Sequence, residues 1–381
     1  MKQGTFASVD AMVAALDPSY PVMCVHPARL GRGARAFLDG FAGRVLYAVK
    51  CNPEPRVIRH LAAAGIGHFD TASLPEIALV KELLPDAACY FNHPVKNRAA
   101  IEAAYHVYDV RHFVVDSLTE LHKILEATGR NDMVVQVRLA TAPGYAAFDL
   151  SLKFGAPADE AAALLRAVAD SGAVPALSFH VGSQCRSPEA YVRAIREAGR
   201  VVAEAGVAPR YLNVGGGFPA HYRGTQIAPM SEFFSAIGEE TRALALPEGT
   251  EIFCEPGRAL VVDGCSLVVQ VQLRKGPSLY VNDGVFGSLS ELNAGKLTPP
   301  VRLIRPAGPA APDLMDFRIF GPTCDSADVL PMPFALPSDV KEGDWIEIGQ
   351  VGAYSNAVAS HFNGFFCDTT VEITGEGPRD W

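Results

Sequence analysis

Along the first two thirds of the chain, short apolar runs alternate with longer stretches in which apolar residues return every three or four positions. The short runs are VLYAVK at 45–50, HFDTAS at 68–73, ACYFN at 88–92, HFVVDS at 112–117, MVVQVRLA at 133–140, ALSFHV at 176–181, YLNVGGG at 211–217 and EIFCEPG at 251–257. Their length and their content of Val, Phe and Tyr predict buried strands. Between them, EIALVKELL at 76–84, DEAAALLRAVADSG at 159–172 and AYVRAIREAGRVVAEAG at 190–206 carry a helical pattern, and the last two close on a glycine suited to a C-cap. Eight such alternations predict an α/β fold, a (β/α)8 TIM-like barrel, with a doubly wound open sheet as the structural alternative.

After about residue 259 the rhythm changes. LVVDGCSLVVQVQLRK, SLYVNDGVF, FRIFGPTC, DWIEIGQ and TTVEI are strand-like, with turns at Gly, Pro and Asp and little helical pattern between them. A C-terminal antiparallel β-domain over 259–381 is therefore expected. YPVMCV at 20–25 is an early strand pattern, so residues 1–26 are expected to join that domain and the barrel, 27–258, to be inserted between the two parts. RPAGPAAP at 305–312 reads as an exposed loop.

Composition narrows the function classes. With 49% hydrophobic and 20% charged residues, the chain has the make-up of a soluble globular protein. MKQGTFASVDAMVAALDPSYPVM at the N-terminus carries Asp10 and Asp17 and lacks a long apolar core, so it does not read as a secretory signal. No apolar stretch approaches the roughly 20 residues of a membrane helix, and a cytoplasmic protein is expected. Eight cysteines stand singly, with no CxxC pair and no Cys/His cluster at zinc spacing, so reduced thiols and no metal are expected. A net charge of −9 without a basic run argues against nucleic acid and membrane surfaces, and towards a small molecule, a cationic one included.

In a barrel the active site is built where strands hand over to the following helices. The first strand delivers Lys50 there, the second Asp70 with Glu76 beyond it, the fifth Arg138, and the sixth His180 and Ser183. The seventh delivers Gly215, Gly216 and Gly217, and the eighth Glu255, Gly257 and Arg258. Each alone has an ordinary structural account: a snorkelling lysine, an N-cap, a surface ion pair, a core histidine, a tight turn. On one rim they are more specific. GGG lets backbone N–H groups approach an anion, and PGR adds a further N–H and a guanidinium, so the two loops read as a phosphate cradle. Opposite it, Lys50 can condense with an aldehyde, Glu255 can keep a pyridine nitrogen protonated, and His180 can lie flat on a ring. That set describes pyridoxal 5'-phosphate, which serves as an electron sink.

The segments YAVKCNP, FDTAS followed by Glu76, SLKFGA, SFHVGSQC, NVGGGFPA, CEPGRALV, YVNDGVFGS, GPTCDSADV and GAYSNAVASHFNGF resemble, in order and over nearly the whole chain, the pyridoxal-phosphate-dependent, alanine-racemase-fold decarboxylases of basic amino acids, the ornithine decarboxylase group. The resemblance implies that Lys50 carries the cofactor, His180 stacks on its ring and Glu255 meets its nitrogen. It gives Asp70, Glu76 and Arg138 as a polar second layer, and Ser183, Gly217, Gly257, Arg258 and Tyr354 as phosphate ligands. Cys324 resembles the family's catalytic cysteine and Asp325 its substrate-amine ligand, both contributed across a homodimer interface. From the residues alone, CDSAD at 324–328 is a thiol beside two carboxylates in a loop, and a mere turn is the other reading.

LSELNAGKLTPPV departs from the eukaryotic enzymes, where an aspartate helps bind the far amine of ornithine. Gly295 falls there, and the segment more nearly resembles short bacterial members with an early glutamate, here Glu291. The implied reaction is decarboxylation of L-ornithine to putrescine, in polyamine biosynthesis, with L-lysine or a related diamino acid as the alternative. Meso-diaminopimelate fits less well, since its decarboxylases resemble this chain in fold but carry a CES-type motif where this chain has CDS. Against an amino-acid racemase, this chain has no racemase-like tyrosine context for the second base and carries GPTCD in the relevant loop; a non-catalytic homologue would not need Lys50, Cys324 and GGG intact.

Overall fold

The computed structural model describes residues 4–142, 144, 146–148, 152–244 and 246–375. The chain divides into two compact units, one built of residues 34–220 and 226–259, the other of the described residues up to 33, 221–225 and those from 260 onward. The first dividing point falls inside the helix Pro27–Gly40, seven residues later than the boundary expected at 26, the last falls after 259, one residue past the expected 258, and the excursion at 221–225 carries no sequence signal.

The first unit is a closed barrel of eight parallel strands: β1 (Arg44–Ala48), β2 (His68–Thr71), β3 (Ala88–Phe91), β4 (His112–Val115), β5 (Val134–Leu139), β6 (Val174–Phe179), β7 (Tyr211–Asn213) and β8 (Glu251–Cys254). β8 closes the ring on β1, with Phe253 opposite Arg44 and Cys254 opposite Val45. Leu46, Tyr90, Ala176, Tyr211 and Phe253 pack together as one buried cluster, and the rings of Tyr211 and Phe253 stack at 4.2 Å. Strands buried on both faces explain the continuous apolar runs in the sequence.

The helices begin on caps that are visible as residue types. Ser73 and Ser117 accept the N–H groups of Glu76 and Glu120, and Asn97 accepts that of Ala100, which supplies the orphan donors of each first turn. The helix Glu189–Ala205 buries Tyr191, Ala194, Ile195, Ala198, Val201 and Val202 along one face, and stops where Gly206 takes a left-handed φ of 64°. A side chain at that position would strain the turn.

The second unit holds a nine-stranded sheet among the described residues, and it is mixed, where an antiparallel sheet was expected. Cys265–Lys275 pairs antiparallel with Val22–Val25, with Ser278–Val281 and with Trp345–Ile348. The expected early strand does join this sheet. Its other edge, however, receives Thr369–Ile373 in parallel, and Ser278–Val281 runs parallel to Leu314–Phe320. Both parallel pairs join segments far apart in sequence, so no hairpin signal forces the antiparallel sense. Val9, Met12, Val22, Val268, Trp345 and Val371 form the core beside it. Among the described residues no helix is long and apolar enough to cross a membrane, and no His, Cys, Asp and Glu group is arranged to hold a metal ion.

Candidate active site

β1 ends at Ala48, two residues short of the expected strand end, because Val49–Cys51 curls into a single 3-10 turn. The Ala48 N–H is taken by the Pro256 carbonyl, and the Tyr47 hydroxyl donates to the Asn52 carbonyl at 2.9 Å, which pins the turn. Lys50 therefore stands on the C-terminal rim with its side chain 40% exposed. Its Nζ lies 2.9 Å from Oδ2 of Asp70, a carboxylate buried at the end of β2. Oδ1 of Asp70 is buried with no hydrogen-bond partner among the described residues, an unmet acceptor of the kind that a bound polar group satisfies.

Glu255 follows β8. Its Oε1 accepts from Asn92 Nδ2 at 2.6 Å and from Asn213 Nδ2 at 2.5 Å. Burial pushes its carboxyl up to about 7, with the negative Asp70 adding to the rise, while Lys50, the Asn213 hydrogen bond and Arg138 oppose it. Arg138 points along the same face of β5 as Gln136, two residues earlier, and its guanidinium lies over the Phe154 ring at 5.5 Å. Burial holds His180 well below the ordinary imidazole value, and the positive Arg138 and Lys50 lower it further. The ring is therefore neutral at physiological pH. Its Nδ1 accepts the Gly182 N–H at 3.0 Å, which leaves the proton on Nε2.

The glycines after β7 are required for a reason beyond anion approach. A Cβ on Gly215 would lie 2.1 Å from the Phe179 carbonyl, one on Gly216 2.6 Å from the Glu255 carbonyl, and one on Gly217 2.2 Å from the Gly182 carbonyl. The loop is thus wedged between the ends of β6 and β8, and only bare backbone fits. Gly257 is likewise pressed against Cys51, whose Cβ would be 2.9 Å from an added methyl. Arg258, buried, reaches the Ser183 hydroxyl at 3.4 Å. Glu76 folds back on its own helix start, its Oε2 accepting the Ala72 N–H at 2.7 Å, and burial raises its carboxyl. Asp70, the N-cap of the ordinary account, is not one: Ser73 caps that helix.

Lys50, Asp70, Arg138, His180, Ser183, Gly215, Gly216, Gly217, Glu255, Gly257 and Arg258 all belong to the barrel unit. Cys324, Asp325, Glu291 and Tyr354 belong to the other. There Cys324 is exposed, and its Sγ and N–H both bond Oδ1 of Asn363, at 3.2 and 3.1 Å. Of the two carboxylates in CDSAD, Asp328 is buried and builds the loop, accepting from the Val285 and Thr323 N–H groups and the Thr323 hydroxyl. Asp325 is exposed and only turns back to the Ala327 N–H at 2.8 Å. A pocket of about 570 Å³ is lined by Cys324 and Asp325 together with Tyr280, Phe320 and Phe365. Glu291 opens the short helix Ser290–Gly295, half-buried, and Tyr354 is half-buried with a left-handed φ of 54°.

A family model described as pyridoxal-dependent decarboxylase, pyridoxal binding domain, matches residues 28–262. The chain belongs to this family. It is 34% identical to the lysine/ornithine decarboxylase of Selenomonas ruminantium, over 86% of this chain and 82% of that protein. Among solved structures it is similar to the arginine decarboxylase of Paramecium bursaria Chlorella virus, with a TM-score of 0.85 and 28% identity, covering 96% of this chain and 99% of that one. It is also similar to the Vibrio vulnificus lysine/ornithine decarboxylase complexed with cadaverine, with a TM-score of 0.82 and 32% identity over 97% of this chain and all of that one. The cofactor of this decarboxylase is pyridoxal phosphate, and the donor set fits it: an amine beside a buried carboxylate, a second carboxylate, a neutral imidazole, and a glycine loop with a guanidinium near a hydroxyl.

Asn92, Gln136 and Asn213 were not singled out from sequence. The signal they offer is slight: each is an amide in, at the end of or just after a largely apolar strand, near the level of Glu255, which follows β8.

Proposed function

We propose that this protein decarboxylates a basic L-amino acid, L-ornithine in first place, releasing putrescine and CO2. The observation that carries the reading is that the Lys50–Asp70 and Glu255 rim occurs in the same sequence as an exposed thiol and carboxylate, Cys324 and Asp325. Lys50 holds the cofactor, Glu255 meets its ring nitrogen and His180 covers its face. Ser183, Gly217, Gly257, Arg258 and Tyr354 take its phosphate. The cofactor supplies the electron sink for the carboxylate's departure. Asp70 orients the Lys50 amine and, with Arg138, sets the charge around it. The Cys324 thiol delivers the proton that replaces CO2, and Asp325, with Glu291 behind it, receives the substrate's distal ammonium.

Each active site is shared between the two chains of a homodimer. An apolar surface beside Cys324 supports that part: Phe362, Phe365 and Phe366 are each more than a third exposed, and Asn363 between them holds the thiol. The related proteins named above are decarboxylases of lysine, ornithine or arginine, and lysine is the second substrate, with Glu291 in the altered segment set to read the distal amine or the substrate's length.

The test is a panel. Purified protein loaded with pyridoxal phosphate is incubated with L-ornithine, L-lysine, L-arginine and L-norvaline, and the amines and CO2 released are identified. Putrescine in excess of cadaverine and agmatine is expected, and Lys50→Ala should release none. Cadaverine or agmatine as the main product would move the substrate, and no amine from any of them would remove the decarboxylase reading.

A further inference from the structure

Two amides from two other strands converge on one oxygen of Glu255, and a third joins them to each other. Asn92 follows β3, Gln136 lies within β5, and Asn213 ends β7. Asn92 Nδ2 and Asn213 Nδ2 donate to Glu255 Oε1. Gln136 Nε2 donates to Asn92 Oδ1 at 3.0 Å, and Asn213 Nδ2 donates to Gln136 Oε1 at 3.1 Å. Asn213 Oδ1 accepts the N–H of Gly215 at 2.9 Å.

The sense of this ring is fixed from one end. Because the Gly215 N–H can only donate, Asn213 must turn its oxygen there and its NH2 towards Glu255 and Gln136. Gln136 must then face Asn213 with its oxygen and Asn92 with its NH2, and Asn92 is left facing Glu255 with its own NH2. Both groups that reach Oε1 are N–H donors. A proton on Oε1 would oppose two donors, so Glu255 can take up or release a proton only at Oε2.

We infer that Asn92, Gln136 and Asn213 are positioning residues that anchor Glu255 through Oε1 and reserve Oε2 for the ring nitrogen of the cofactor. The inference rests on the reading of Glu255 as that nitrogen's partner. Neutral amides suit the task where a lysine or arginine would not, because a cation on Glu255 would compete with a protonated ring nitrogen for the same charge. Gln136 bonds neither Glu255 nor any group of the glycine loop, yet the orientation of Asn92 depends on it. The ring also ties the carboxylate to that loop: Asn213 holds the Gly215 N–H, and the Gly215 carbonyl accepts the Glu255 N–H at 2.8 Å.

The test compares pyridoxal phosphate with its 1-deaza analogue, in which a CH replaces the ring nitrogen, by the dissociation constant of each from the reloaded enzyme. Wild-type protein should prefer the natural cofactor. Asn92→Ser and Asn213→Ser each remove a donor to a charged acceptor, and the preference should fall about tenfold in each. Gln136→Met, close in length and without polar ends, should lower it several-fold although it touches no cofactor atom. Melting temperatures report folding separately. A wild-type protein with no preference would take Glu255 off the ring nitrogen and the inference with it. A wild-type preference retained in full by the folded variants would overturn the inference alone; if Asn213→Ser does not fold, Asn92→Ser and Gln136→Met decide it.

Discussion

Asp325 and Asp328 are three residues apart in one loop, and the structure gives them opposite roles. Asp328 spends its oxygens on three donors of its own chain, whereas Asp325 stands exposed with a single N–H on one oxygen. An ammonium leaving water needs a carboxylate, and a buried unpaired charge costs several kcal/mol. Asp325→Asn nearly preserves volume, so kcat/KM for ornithine should fall by about 2 to 4 kcal/mol, and much less for norvaline, which lacks the distal amine. Glu291→Gln should act in the same direction with a smaller loss, and shift the ornithine-to-lysine ratio. If both variants leave that ratio and the ornithine kcat/KM unchanged, these carboxylates do not read the substrate. At this scale the chain was legible where chemistry is rare: a lysine after a strand, GGG, PGR, a lone Cys-Asp pair. The amides around Glu255 were not, since Asn and Gln in strands are common and only the closed barrel brings positions 92 and 213 to one oxygen with 136 bridging them.

The strands carry a second polar assembly at their starts, opposite the rim. Arg44 of β1 reaches Glu251 of β8 at 2.7 Å and the Tyr90 hydroxyl of β3 at 3.5 Å. His68 Nδ1 meets Tyr90 at 3.2 Å, and His112 Nδ1 meets the Tyr211 hydroxyl at 3.3 Å. Burial pushes His112 down to about 4, with the positive Arg44 adding to it, and burial lowers His68 as well. Unfolded, both imidazoles take a proton below the ordinary value of 6.5; folded, His112 stays neutral until about 4. Between those values the unfolded chain binds more protons, so stability falls as pH falls through that window, by up to about 3 kcal/mol for His112. Urea midpoints of the barrel should drop between pH 7 and pH 4.5, and His112→Gln should flatten that drop; an equal drop in both proteins would mean that His112 is not the group titrating. Element types were legible from period and caps, because each strand and helix is decided locally. The parallel pairing of Thr369–Ile373 with Val22–Val25 was not, because those segments meet only through the completed sheet.

At the scale of the whole molecule, the residues proposed to carry the chemistry are split between the two compact units of each chain. Lys50, Glu255 and His180, proposed to meet the cofactor, lie in the barrel unit, and Cys324 and Asp325, proposed to meet the substrate, in the other. If each active site draws its barrel residues from one chain and Cys324 from the partner, then two differently disabled chains should repair each other. A Lys50→Ala chain still offers Cys324, and a Cys324→Ala chain still offers Lys50. Random pairing of equal amounts makes half of the dimers mixed. Each mixed dimer has one site with both residues and one with neither. About a quarter of wild-type turnover should therefore return in a symmetric dimer, from two preparations that are each inactive. The measurement is putrescine release after mixing, with exchange of subunits followed by differently tagged chains. Exchange without recovery would mean that one chain builds a whole site, and Cys324 would then have to reach the Lys50 of its own barrel.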